Sequence, residues 1–112
     1  MRDLTKGDLP TLVLRVLSEG PNHGYAIARS IEQRSEGLLR MREGALYPAL
    51  RILEQEGVTA SRWEVQPSGP ARKVYELTGT GHTELDRRVQ EWKSYMQLVD
   101  RLIGGEPNAE PV

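Results

Sequence analysis

The sequence has no cysteine among its 112 residues, which excludes a disulfide scaffold, a thiolate zinc site and a cysteine nucleophile. It also has no long apolar run. A membrane-spanning helix needs roughly 18 consecutive apolar residues, and the opening, MRDLTKGDL, is charged and polar where a secretory signal would be apolar. A cytoplasmic protein is expected. An excess of one charge is missing too: 15 Lys and Arg stand against 16 Asp and Glu, a net charge of −1, so the overall balance does not point to a polyanionic partner. Any nucleic-acid surface must come from local placement of charge. Residues 1–81 carry eleven basic and ten acidic side chains, and residues 82–112 carry four and six, which puts the slight acidic excess in the tail.

Signs of catalysis are also lacking. The two histidines, His23 and His82, are far apart and have no close His or Cys companions, so they do not suggest a zinc site. No Ser/His/Asp set, phosphate loop or paired-carboxylate motif stands out, and the glycines are isolated punctuation. No catalytic residue, metal or cofactor is expected, and the chain does not read as an enzyme. Apolar residues make up 38%, and the eleven glycines bring the usual count to about 48%, normal for one soluble globular domain.

What is present is periodicity. Leu9, Leu12, Val13, Val16 and Leu17 recur at i, i+3, i+4, i+7 and i+8, which predicts an amphipathic helix ended by Gly20 and Pro21. PNHGYAIARSIEQRSEG opens on turn formers and predicts a second helix over about 24–34, broken by Ser35, Glu36 and Gly37. Leu46, Leu50 and Leu53 predict a third helix over 43–55, with Gly57 as its stop. VTASRWEV and RKVYEL, separated by the QPSGPA cluster, predict a β-hairpin with a mobile tip.

TGTGHTE then restarts a helix with Thr80 or Thr83 as its cap. Leu85, Val89, Trp92, Met96, Val99 and Ile103 follow at alternating spacings of four and three, a heptad seam that calls for a partner helix. The final GGEPNAEPV reads as disordered. The chain thus divides into a winged helix-turn-helix unit over 1–78, a dimerisation helix over 79–104 and a tail over 105–112. The fold class is mainly α with a small β-hairpin, in the order α–α–α–β–β–α.

One stretch of the third helix, EGALYPAL, holds Gly44 and Pro48 four residues apart, where each weakens a helix. With Leu46, Leu50 and Leu53 set inward, Gly44, Pro48, Arg51 and Gln55 point outward and Ala45 and Tyr47 lie on the flanks. HGYAIARSIEQRS, followed by EGALYPALRILEQEGVTASRW and then GPARKVYELTGTG, closely resembles the PadR family of bacterial transcriptional regulators. The resemblance runs from about Thr5 to Ile103. It implies that the third helix is a recognition helix entering the DNA major groove by its N-terminal end, where Gly44 lets the backbone approach and free N–H groups face phosphate.

On this reading Tyr25, Arg42, Gly44, Ala45, Tyr47, Pro48, Arg51, Arg72 and Lys73 are the candidate DNA-binding residues. Arg42 departs from the family pattern, which often has a good cap there, since Arg cannot accept a capping hydrogen bond. Tyr47 can pack between helices, reach a phosphate, or do both, and Tyr25 is similar. Arg51 and Gln55 are either a solvated face or a reading face. Arg72 and Lys73 close a loop able to reach the minor groove or nearby phosphates. His23 is expected to cap or pack the second helix.

The single tail helix is similar to that of the smaller PadR subgroup, in which it forms the homodimer interface and the dimer binds double-stranded operator DNA. Leu85, Val89, Trp92, Met96, Val99 and Ile103 are then the dimer residues. Trp92 is either a core filler or, as in PadR members that bind flat aromatic compounds at the dimer centre, an effector-binding residue. Those members carry their Trp about one turn later, where this chain has Met96, so Trp92 and Met96 together are the effector candidates. A palindromic operator, a repressor role and release by a small aromatic effector are the expectations, and a winged-helix protein-interaction module without DNA binding is the competing one.

Overall fold

The computed structural model describes residues 2–3 and 9–104. In chain order they form β1 (Arg2–Asp3), α1 (Leu9–Leu17), β2 (Asn22–His23), α2 (Gly24–Arg34), β3 (Leu39–Arg40), α3 (Glu43–Gln55), β4 (Thr59–Glu64), β5 (Arg72–Leu77) and α4 (Gly79–Leu102). The apolar faces of α1, α2 and α3 close on one another: Val13, Leu14, Ile27, Leu46, Leu50 and Leu53 are each at most 1% exposed. Val58, Tyr75 and Leu85 extend this core under the sheet and the start of α4.

Both ends of α3 follow from local sequence. At its start Arg42 is extended (φ −90°, ψ 143°) and provides no side-chain cap, yet its carbonyl accepts from Ala45 N at 3.0 Å and Leu46 N at 2.9 Å. The helix therefore begins at Glu43 in spite of the unfavourable cap. At its end Gly57 takes φ 79°, Val58 N donates to the Leu53 carbonyl at 3.2 Å, and Leu53 and Val58 are both buried, a glycine-terminated helix end with its apolar closure.

The sheet differs from a plain hairpin. β4 and β5 pair antiparallel as expected, but Asn22–His23 adds a third strand through Asn22↔Tyr75 and His23↔Val74, giving the order β2-β5-β4. Two residues in a turn-rich segment carry no period from which a strand could be read. Leu39 and Arg40, within the connector before α3, likewise pair in parallel with Arg2 and Asp3.

The start of α4 also corrects the expectation. The cap is Thr78, not Thr80 or Thr83. Its Oγ1 accepts from Gly81 N at 3.0 Å and donates to the Gly57 carbonyl at 2.7 Å, so one hydroxyl caps α4 and ties it to the turn after α3. Thr78 can do this because it is the extended residue that leaves β5 (φ −85°, ψ 173°). Gly81 sits so close to β4 that a Cβ there would lie 2.0 Å from the Val58 carbonyl oxygen. The expected disordered tail, 105–112, lies outside the described residues.

Candidate nucleic-acid interface

Burial of Leu46, Leu50 and Leu53 fixes the rotation of α3 and turns Gly44, Ala45, Pro48, Arg51, Ile52 and Gln55 to the surface. Gly44 is in open space: a Cβ added to it would meet nothing within 4 Å. Packing gives no reason for glycine there. Among the described residues the Arg51 side chain makes no hydrogen bond or ion pair. Arg42 is exposed at the helix start. Ile52 is 52% exposed, and an isoleucine beside a leucine stripe gives no signal in the sequence of facing outward.

Tyr47 leans on α2. A Cβ at Gly24 would come within 3.0 Å of Tyr47 Cε1 and 3.1 Å of its hydroxyl, so the glycine of His-Gly-Tyr leaves room for this ring. The ring is still 43% exposed, which leaves its other side open. Tyr25 is exposed at the front of α2, and Arg29 donates to its hydroxyl at 3.3 Å with the guanidinium 5.8 Å from the ring centroid. Tyr25, Arg29, Glu32, Met41 and Tyr47 line a shallow cleft of about 240 Å³ between α2 and α3. Arg29 was not among the expected residues, although its i+4 spacing from Tyr25 signals the pair.

The wing is more tightly held than the sequence suggests. Arg72 and Lys73 belong to β5, opposite Glu64 and Trp63, and not to the loop tip. Lys73 Nζ lies 3.7 Å from Glu54 Oε1 and 5.6 Å from the centre of the Tyr75 ring, while Ser61 Oγ donates to Glu54 Oε2 at 2.5 Å. The carboxylate at the end of α3 thus pins both strands. Arg72 donates to Gln66 Oε1 at 2.6 Å and lies 2.8 Å from His23 Nε2. His23 also accepts weakly from Ala26 N through Nδ1 at 3.4 Å, as the cap of α2. A neutral imidazole has one acceptor nitrogen, so the Arg72 bond and the cap compete for it. Desolvation first and the Arg72 charge second hold His23 below its ordinary pKa, against the pull of Glu64. Trp63 and Val65, 69% and 86% exposed, were read only as strand formers.

Along α4 the expected seam divides. Leu85 belongs to the core of its own chain, and Val89 is partly buried against that core. Trp92, Met96 and Ile103 are exposed and Val99 is half-buried. Tyr95, Leu98 and Leu102 are exposed as well, and the Trp92 and Tyr95 rings sit 6.0 Å apart at 36°. The apolar face is therefore wider than a heptad seam. Glu84, near the start of α4, accepts from Arg87 and Arg88, which lowers its pKa to about 2. Among the described residues no group of three or more His, Cys, Asp or Glu is placed to hold a metal, and no helix is long and apolar enough to cross a membrane.

Three packed helices, a small antiparallel sheet whose last two strands form a wing, and a long helix behind them define the winged helix-turn-helix class. The chain belongs to the Transcriptional regulator PadR-like family, whose pattern it matches over residues 13–87. Members of that family are DNA-binding transcriptional regulators and not enzymes. The chain is 29% identical to Transcriptional regulator Rv3488 of Mycobacterium tuberculosis, over 95% of this chain and 92% of that one. The structure of a transcriptional regulator from Clostridium thermocellum superposes with a TM-score of 0.80 at 26% identity, covering 86% of this chain and 93% of that chain. A PadR family transcription regulator from hypervirulent Clostridium difficile gives a TM-score of 0.74 at 32% identity, over 86% and 98%.

Proposed function

We propose that the protein acts in the cytoplasm as a homodimeric repressor. It binds a roughly palindromic operator by placing α3 of each protomer in the major groove, with 1–78 as the DNA-binding unit and 79–104 as the dimerisation helix. The observation that carries this reading is the outer face of α3: a glycine in open space at its N-terminal turn, followed by an exposed arginine whose side chain has no partner among the described residues. Gly44 weakens the helix and no packing need offsets that, whereas close approach of backbone to DNA does. Tyr25, Tyr47 and Arg42 border this face and contact phosphate. Arg72 and Lys73 join the DNA contact by exchanging His23, Gln66 and Glu54 for phosphate oxygens.

An effector reading has its own support. Trp92 and Tyr95 present two exposed rings on the second half of α4, Trp92 one turn from Met96 and Tyr95 next to it, and a planar aromatic compound can stack there between protomers. Its binding would alter the spacing of the two α3 helices and release the operator.

The direct test is selection of bound duplexes from a random pool, together with footprinting on the protein's own upstream region. Enriched inverted half-sites about one helical turn apart are expected, with affinity that falls as salt rises. A protein that enriches no sequence and ignores salt would instead be the protein-interaction module.

A further inference from the structure

We infer that Ile52, together with Ala45 and Pro48, forms an apolar edge of α3 that reads thymine 5-methyl groups in the major groove. This rests on the DNA-binding reading above and specifies what that face recognises. At about 100° per residue, Ala45, Pro48 and Ile52 fall within an arc of roughly 60°. All three are exposed, and Ile52 keeps 52% of its surface open. Gly44, Arg51 and Gln55 occupy the adjacent arc, so the outer face is divided lengthwise into an apolar edge and a hydrogen-bonding edge.

Among the described residues the hydrophobic core does not include this apolar edge. The buried surface of α3 is carried by Leu46, Leu50 and Leu53, each at most 1% exposed. An exposed isoleucine is also a costly choice for a helix, because β-branching restricts χ1 and lowers helix propensity. The same stiffness holds its methyl groups in one place, which suits recognition of a single small apolar group. The DNA major groove offers one, the thymine methyl. From Ala45 to Ile52 the helix rises about 10.5 Å, close to three base-pair steps. Arg51, partnerless among the described residues, stands beside the strip and favours a polyanion over an apolar protein groove.

The test uses the duplex obtained by selection. Deoxyuridine replaces thymidine one position at a time, removing the methyl and leaving every hydrogen bond in place. Each contacted methyl should be worth about a fourfold loss in affinity, from roughly 0.8 kcal/mol per buried methylene-sized group. Replacement in both half-sites should give about sixteenfold. Ile52→Ser, at an exposed position, should keep the fold, bind the thymine duplex more weakly, and be insensitive to the uracil change at the coupled position. Selective enrichment of a duplex on which every uracil substitution is silent overturns the inference and leaves DNA binding standing. So does a uracil penalty of the same size in Ile52→Ser and the unmodified protein. If no duplex is enriched, both readings fall. The uracil series with unmodified protein decides the matter even if the variant folds poorly.

Discussion

Gly44 and Gly81 look alike in the sequence and differ in what surrounds them. At Gly44 a Cβ meets nothing within 4 Å, so Gly44→Ala should stabilise the fold, by up to about 1 kcal/mol from helix propensity alone. If α3 approaches DNA there, the same methyl group should weaken operator binding by about tenfold, on the order of 1.4 kcal/mol. Thermal denaturation and operator titration moving in opposite directions is the expected outcome. A variant that is more stable and binds equally well would show that the glycine has no role at the interface. At Gly81 the methyl would meet the Val58 carbonyl at 2.0 Å, and backbone cannot move aside as a side chain can. Gly81→Ala should cost about 1–3 kcal/mol as α4 is pushed from the sheet, read as a lower midpoint in urea. Arg51→Ala should touch stability little, because the arginine has no partner among the described residues. It should lower the preference for operator over random duplex by about 1–3 kcal/mol if Arg51 reads a base. Equal losses on both duplexes would make it a phosphate contact.

At the scale of elements, two side-chain links among the described residues tie the wing to α3 and α2. Glu54 joins the end of α3 to β4 and β5 through Ser61 and Lys73, and His23 joins the start of α2 to β5 through Arg72. The second link titrates. Since His23 is held below its ordinary pKa of 6.5, its neutral form is favoured by folding. Its contribution is fully present above pH 6.5 and is lost as pH falls through the lowered value. Denaturation at pH 7 and pH 5 should show a loss in the unmodified protein that is smaller in His23→Asn. Equal losses would assign the pH dependence to other groups. The helices were legible because their leucines and isoleucines repeat with a strong period, and α2 and α3 have the bounds the sequence implies. The two-residue strand β2 had no period to read. Thr78 was passed over as a cap because only the fold shows that β5 delivers it beside Gly57 and Gly81. That Lys73 meets Glu54 is not legible either, because only strand pairing shows that it lies opposite Trp63, on the side facing Glu54. Ile52 was hidden for the opposite reason: an apolar residue in an amphipathic helix is assumed to face inward, and only its exposure removes it from the core.

At the scale of the whole molecule, the proposed dimer would make α4 the element that joins oligomeric state to DNA binding. Its first turns belong to the protomer, where Leu85 is 4% exposed and α1 packs against it. Its second half carries Trp92, Tyr95, Met96, Leu98 and Leu102 on an open face, together with Ile103, the residue that caps it. Helical geometry puts these residues on one half of the cylinder, with Val99 near the middle of the arc. Covering one such side chain contributes roughly 1.5–3 kcal/mol before the cost of association, which favours a second α4 laid along this face in the proposed dimer and leaves its affinity open. Val99→Glu places a carboxylate in the middle of that face. If a partner covers it, the charge loses water without gaining a counter-ion, and it must either separate the chains or take up a proton. The core residues lie between Leu9 and Leu85, so each protomer should stay folded, with unchanged helix content by circular dichroism. Light scattering should then show a dimer becoming a monomer at micromolar concentration, while operator affinity falls because the two α3 helices are no longer held one helical turn apart. Single half-site binding should change little. An unmodified protein that is monomeric, or a Val99→Glu dimer with undiminished operator affinity, would separate α4 from DNA recognition altogether.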